Sequence, residues 1–230
     1  MSMLLAEERV AIHELTGGNL AGIDQLLALY VKLMPEYAAY APRMRERAQG
    51  TWQPPHDHIE HQWLIEVNDT PAGLAVFKYV PAYRCAILLD LAVDPVFRRL
   101  VIEGHRRLAG WILSQMIDQV RADAALLGHQ PLGVVLEADS DHFVQRYRAY
   151  GFTRLPIVWY EPPADGDLEE NAHEVRQKYK LMRLCFFALY AHAVDRAAQR
   201  QIVLALAEHY ALPREHWLLR MALTHNNPSD

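Results

Sequence analysis

Leu89–Leu108, LDLAVDPVFRRLVIEGHRRL, and Arg146–Phe152, RYRAYGF, decide how this chain is read. The first stretch is an apolar strand, a proline turn, an arginine-studded loop and a glycine, Gly104, that opens a long helix. A helix start presents backbone N–H groups without intrahelical partners and the positive end of the helix dipole. With Arg98, Arg99, Arg106 and Arg107 around it, such a start suits a phosphate. The plain alternative is a helix start whose charges are simply solvated. The second stretch ends a helix on Gly151, a residue fit for the left-handed turn after a helix.

Working outward, Arg9–Leu15 alternates as a strand, and Thr16–Asn19 forms a turn with Asn19 as N-cap. Leu20, Ile23, Leu26, Leu27, Tyr30 and Met34 recur at helical spacing up to Pro35, and Arg43–Gln49 is a second short helix ending at Gly50. Strands are expected over Gln62–Val67, Ala72–Val80 and Cys85–Val93, the first two joined by the turn Asn68-Asp69-Thr70-Pro71. A helix over Glu103–Arg121 carries Leu108, Trp111, Ile112, Met116, Ile117 and Val120 on one face. Then follow a buried strand at Leu132–Glu137, a helix over Asp141–Tyr150, and strands over Arg154–Tyr160 and Tyr179–Phe187, with a polar loop at Pro162–Glu174. From Val194 the pattern is helical: Ile202, Leu206 and Tyr210 form one stripe, and Pro213 begins a second helix with Trp217, Leu218 and Met221. This tail packs on the sheet or on another subunit.

Of the 230 residues 51% are hydrophobic and the net charge is −5. The chain can bury a large core, and it lacks the basic field of a dedicated nucleic-acid binder. No apolar run reaches the ~18 residues of a membrane helix, and acidic residues occupy the N-terminus where a signal peptide is basic. The two cysteines, Cys85 and Cys185, are far apart and show no metal spacing. They read as reduced core thiols of a cytoplasmic protein.

On DLAVDP (Asp90–Pro95), the Arg99–Gly104 loop and Tyr147-x-x-x-Gly151-Phe152, the chain resembles the GNAT superfamily of acyl-CoA-dependent N-acetyltransferases. The resemblance spans residues 9 to about 187. It implies an α/β (α+β) fold with a mixed, mostly antiparallel central sheet flanked by helices. Residues 1–190 would form the acyltransferase domain and 191–230 a C-terminal helical extension. It further implies acetyl-CoA as co-substrate and a small-molecule or peptide amine as acceptor.

By match, the backbone of Leu91, Ala92 and Val93 would pair with the pantetheine arm. The family's pyrophosphate loop, Arg or Gln, two residues, Gly, one residue, Gly or Ala, falls on Arg99, Leu100, Val101, Ile102, Glu103 and Gly104, flanked by Arg98 and His105. Ile102 replaces the first glycine, and Glu103 sets a carboxylate beside the diphosphate. Tyr147 would be the general acid that protonates the departing thiolate; a buried helical tyrosine is the alternative. Ser140 stands where the family has an asparagine that holds pantetheine.

Attack by an amine needs a group to take its proton. Asp90 is the first candidate, as base or amine-binding group; Glu66 and His142 are weaker ones. Asp90 could equally cap or pair with an arginine, and Glu66 could face solvent. The HDHIEH run holds His56, His58 and His61. It is a solvated loop, a loop at the acceptor cleft or a metal site, although its spacing matches no closed zinc pattern, and no metal is assigned. Trp52, Tyr37 and Tyr40 are candidates to line the acceptor pocket.

These residues predict direct acetyl transfer to an amine. The rival readings are a non-catalytic module of the same fold that senses CoA, and an interaction protein whose C-terminal helices form a homodimer.

Overall fold

A computed structural model of the chain describes residues 8–52, 57–102, 104, 107–162, 179–190 and 194–224. Strands β1 (Val10–Glu14), β2 (Ile59–Val67), β3 (Thr70–Val80), β4 (Cys85–Val93), β5 (Gly133–Ala138), β6 (Thr153–Glu161) and β7 (Lys180–Ala188) form one sheet in the order β1-β2-β3-β4-β5-β7-β6. Pairing is antiparallel for β1/β2, β5/β7 and β6/β7 and parallel for β4/β5. The helices are α1 (Ile23–Leu33), α2 (Ala41–Gln49), α3 (Leu108–Leu126), α4 (Asp141–Arg148), α5 (Arg196–His209) and α6 (Trp217–Thr224). Among the described residues, no helix is long and apolar enough to cross a membrane.

The chain clusters into two compact units. The first holds β1, α1, α2, most of β2 and β3, Leu89–Val93 of β4 and the first part of α3. Its core sets Ile23, Leu26, Leu29 and Tyr30 of α1 and Met44 and Ala48 of α2 against Leu64, Leu74 and Val76 of the sheet. Helix α1 starts at Ile23, after Gly22 in a left-handed conformation (φ 93°), so Asn19 is not its N-cap. Asn19 instead accepts the Ala21 N–H and donates to Glu14 O, closing the preceding turn. Leu20 therefore lies outside the helix and is half exposed. Asn68 and Asp69 alone make the β2–β3 turn, both at positive φ (49° and 61°). That is the backbone of a two-residue hairpin turn whose twist matches the strands.

The second unit holds Cys85–Leu88 of β4, the end of α3, β5, α4, β6, β7, α5 and α6. Gly133 is required in β5, because a Cβ there would lie 2.2 Å from Phe187 O. The tail packs on the sheet: Tyr210, at the end of α5, donates its hydroxyl to Glu137 of β5 at 2.6 Å, and the Trp217 ring of α6 meets those of Tyr160 and Tyr179. Pro213 does not begin α6; it makes a turn closed by the His216 N–H, and the helix starts at Trp217. On α3 Leu113 is buried, while Trp111 is only half-buried. Cys85 and Cys185 are free and buried, and burial pushes their thiols up to about 12 and about 11.

Candidate functional site

Residues Cys85–Leu88 of β4 are buried and pair with Gly133–Leu136. The strand runs on through Leu89–Ala92, each half-buried, to the buried Val93. Within the first unit this outer half of β4 is held closely by β3. A Cβ on Gly73 would lie 2.9 Å from Ala92 O, and the Asp94 N–H donates to Ala72 O at 2.8 Å.

Asp94 organises the turn that follows. Its carboxylate accepts the Val96 N–H at 3.0 Å and the Lys32 ammonium at 2.6 Å. Those bonds, that to Lys32 foremost, hold its carboxyl below the usual range. The N–H groups of Phe97, Arg98 and Leu100 then bond to the carbonyls of Asp94, Pro95 and Phe97. Arg98 folds back, its Nε donating to Val93 O at 3.1 Å. Arg98, Arg99, Val101 and Arg107 are exposed, Leu100 and Ile102 half-buried.

The expected helix start is corrected here. Helix α3 begins at Leu108, not at Glu103, and Gly104 lies before it at φ 74°, a conformation no helix admits. The loop closes where the Leu108 N–H bonds to Leu100 O at 2.9 Å, and the Trp111 N–H bonds to Arg107 O at 3.1 Å. A Cβ on Gly104 would meet nothing within 4 Å, so this glycine supplies backbone shape in open space. Glu103, His105 and Arg106 lie outside the described residues, as do His56 and residues 163–174 of the polar loop.

In the second unit Tyr147 sits half-buried near the end of α4, one turn before the chain reverses. The helix ends at Arg148 rather than Tyr150, and the reversal closes through Gly151 N–H to Arg148 O and Phe152 N–H to Tyr147 O. Gly151 has φ 93°, and a Cβ there would lie 2.9 Å from the Phe187 ring. The turn sets the Tyr147 ring edge-on to Phe152, centroids 5.5 Å apart, and Phe152 in turn packs on Phe187. Ser140 is the N-cap of α4, accepting the Phe143 N–H, and the Asp139 carboxylate hydrogen-bonds to it and to Lys180.

The base candidates separate. Glu66 does not face solvent: its carboxylate is largely buried and hydrogen-bonds to His13 at 2.8 Å. His142 is exposed beside Phe143. Asp90 is half-buried on β4, and its charge acts on the buried Tyr30 phenol, which burial above all, then Asp90, Tyr40 and Tyr37, pushes far up.

His58 and His61 of the histidine run are not solvated. His58 is buried against Glu208 at 2.8 Å in the second unit, and His61 hydrogen-bonds to Glu14 at 2.7 Å in the first, its ring stacked on Phe77. Among the described residues no group of His, Cys, Asp or Glu could hold a metal ion.

Sequence reading missed Glu137. It accepts from Tyr210 and from the Trp159 indole, and burial, aided by Glu161, lifts its carboxyl to about 7 against those bonds. The available signal was a glutamate closing an apolar strand.

No protein-family model matches the sequence, and none of the curated proteins does. Solved structures do match. A GNAT-family acetyltransferase from Desulfovibrio desulfuricans aligns at TM-score 0.53 and 16% identity over 79% of this chain and 100% of that one. An aminoglycoside 6'-acetyltransferase type Ii aligns at TM-score 0.50 and 15% identity over 80% and 99%. A GNAT-family acetyltransferase from Elizabethkingia anophelis, solved with acetyl-CoA bound, aligns at 0.47 and 16% over 78% and 98%. The mixed sheet of this chain is thus the GNAT fold.

Proposed function

We propose that this chain, built on the GNAT fold, transfers an acetyl group from acetyl-CoA to an amine by direct attack. Fold alone does not assign a reaction. What carries the reading is the outer half of β4, a strand whose ladder to β5 covers only Cys85–Leu88 and whose half-buried continuation runs into an arginine turn.

The residues present fit the co-substrate. Leu91, Ala92 and Val93 offer backbone groups to an extended amide-bearing arm. Arg98, Arg99 and Arg107 are exposed around a loop in which Gly104 leaves open space, suited to a diphosphate. Leu100, Val101 and Ile102 shape that loop, which Glu103 and His105 complete in sequence. Ser140 contributes by fixing where α4 begins.

Acetyl-CoA supplies an activated thioester. A backbone N–H near Ala92 or Val93 polarises its carbonyl. Asp90 binds the amine and takes its proton as the C–N bond forms. Tyr147 gives its phenolic proton to the thiolate as the C–S bond breaks. A second reading, a non-catalytic CoA sensor, is favoured by Ile102 at the position of the loop's first glycine.

Two measurements test the proposal. Calorimetric titration with acetyl-CoA, with desulfo-CoA as control, is expected to give micromolar binding; none at millimolar cofactor rejects acetyl transfer and favours a non-catalytic module of this fold. Tyr147→Phe is expected to lower turnover about 10²-fold or more with cofactor affinity kept, and an unchanged rate removes Tyr147 from the acid role.

A further inference from the structure

The three arginines of α2 differ in their ion pairs. Arg45 pairs with Asp24 at 2.7 Å, and Arg47 donates Nε to Glu60 at 2.9 Å with both side chains nearly buried. Arg47 also lies over the Trp52 ring, its guanidinium carbon 5.7 Å from the ring centre, and Arg43 lies over two rings. Its guanidinium carbon lies 4.9 Å from the Trp52 ring centre and 5.9 Å from that of Tyr40. Among the described residues it has no carboxylate, and it is exposed. A guanidinium stacked on rings is held by cation–π attraction and keeps its N–H edge outward. That edge matches the two oxygens of a carboxylate, and its order is set before any ligand arrives.

The stack adjoins the core cluster of the first unit. Tyr40 and Tyr37 pack, half-buried, on the same core cluster as Leu89 and Ala92 of β4. The Tyr40 phenol and the Asp90 carboxylate both act on Tyr30, which lies in that cluster. Asp90, next to Leu89 on β4, and Arg43, over the Tyr40 ring, thus set an anion and a cation beside one cluster. Charge complementarity of this kind selects a ligand of opposite polarity.

We propose that the acceptor is an amine that also bears a carboxylate, with Arg43 gripping the carboxylate and Asp90 receiving the ammonium. The inference rests on the acetyl-transfer reading above.

The test uses the full chain and CoA release from acetyl-CoA. The panel is α-, β- and γ-amino acids, each paired with its own amide, with O-phosphoethanolamine as the phosphate-bearing control. At least one free acid is expected to exceed its amide about tenfold or more in kcat/KM, the scale of a charge-assisted hydrogen-bond pair. Arg43→Gln should raise the KM for that acid by a similar factor, leave kcat within about twofold, and leave the amide unaffected. Equal use of acid and amide overturns the proposal. So does preference for the phosphate compound, or a variant that slows both partners alike, which would make the stack a mere staple between α2 and Trp52.

Thermal shift with the free amino acids, without acetyl-CoA, separates the two proposals. Stabilisation by an acid that Arg43→Gln abolishes, in a protein that binds no acetyl-CoA, keeps the anion site and rejects acetyl transfer. Acetyl-CoA binding without any carboxylate discrimination rejects the anion site and keeps acetyl transfer.

Discussion

At the residue scale the sharpest constraint is Gly73. Nothing in the sequence around it, PAGLAVF, marks a glycine that matters, because the demand comes from Ala92, far along the chain. With a Cβ only 2.9 Å from Ala92 O, Gly73→Ala must push β3 and β4 apart beside the proposed thioester position. It is expected to cost about 1–3 kcal/mol, read by urea unfolding, and to weaken acetyl-CoA binding. Gly104→Ala is the comparison: its added Cβ meets open space, so it carries only the left-handed backbone penalty of ~1–2 kcal/mol. Gly151 was legible for the opposite reason, since the turn that needs it is local. The closing bond from Phe152 N–H to Tyr147 O fixes the spacing between the tyrosine and the Gly-Phe pair.

At the scale of elements, apolar periodicity placed strands and helices well, because burial sets both the period and the pattern. Element ends were less legible. The start of α3 shows why: a glycine near a helix start reads as a cap, but only φ tells that Gly104 stands outside the helix. Ser140 poses the same question at α4, where one hydroxyl serves either a cap or a ligand. Ser140→Ala is expected to cost about 1 kcal/mol through loss of the N-cap, seen in thermal unfolding. Unchanged acetyl-CoA affinity in that variant would assign the serine to the helix alone. The histidine pairs were hidden because Glu14 and Glu208 lie 47 and 150 residues from their partners His61 and His58.

For the whole molecule, Glu137 ties stability to pH. Its folded pKa, about 7, stands above the ordinary carboxylate value of 4.5. The folded state therefore binds the extra proton. The stability this group contributes is fully present below about pH 4.5 and is lost as pH rises through 7. Glu137→Gln should flatten that part of the profile and raise the melting temperature at pH 8 relative to the parent. A profile unchanged between pH 5 and 8 would show that Glu137 keeps an ordinary pKa. Glu14 and Asp94, whose carboxyls are held low, act with the opposite sign in acid.

The sheet ends on one side at β6, whose register against β7 is broken between Arg154 and Val158. Pro156 sits inside that break and has no N–H to offer. An incoming strand from another molecule would find this margin interrupted at its middle, which disfavours fibril-like growth from β6.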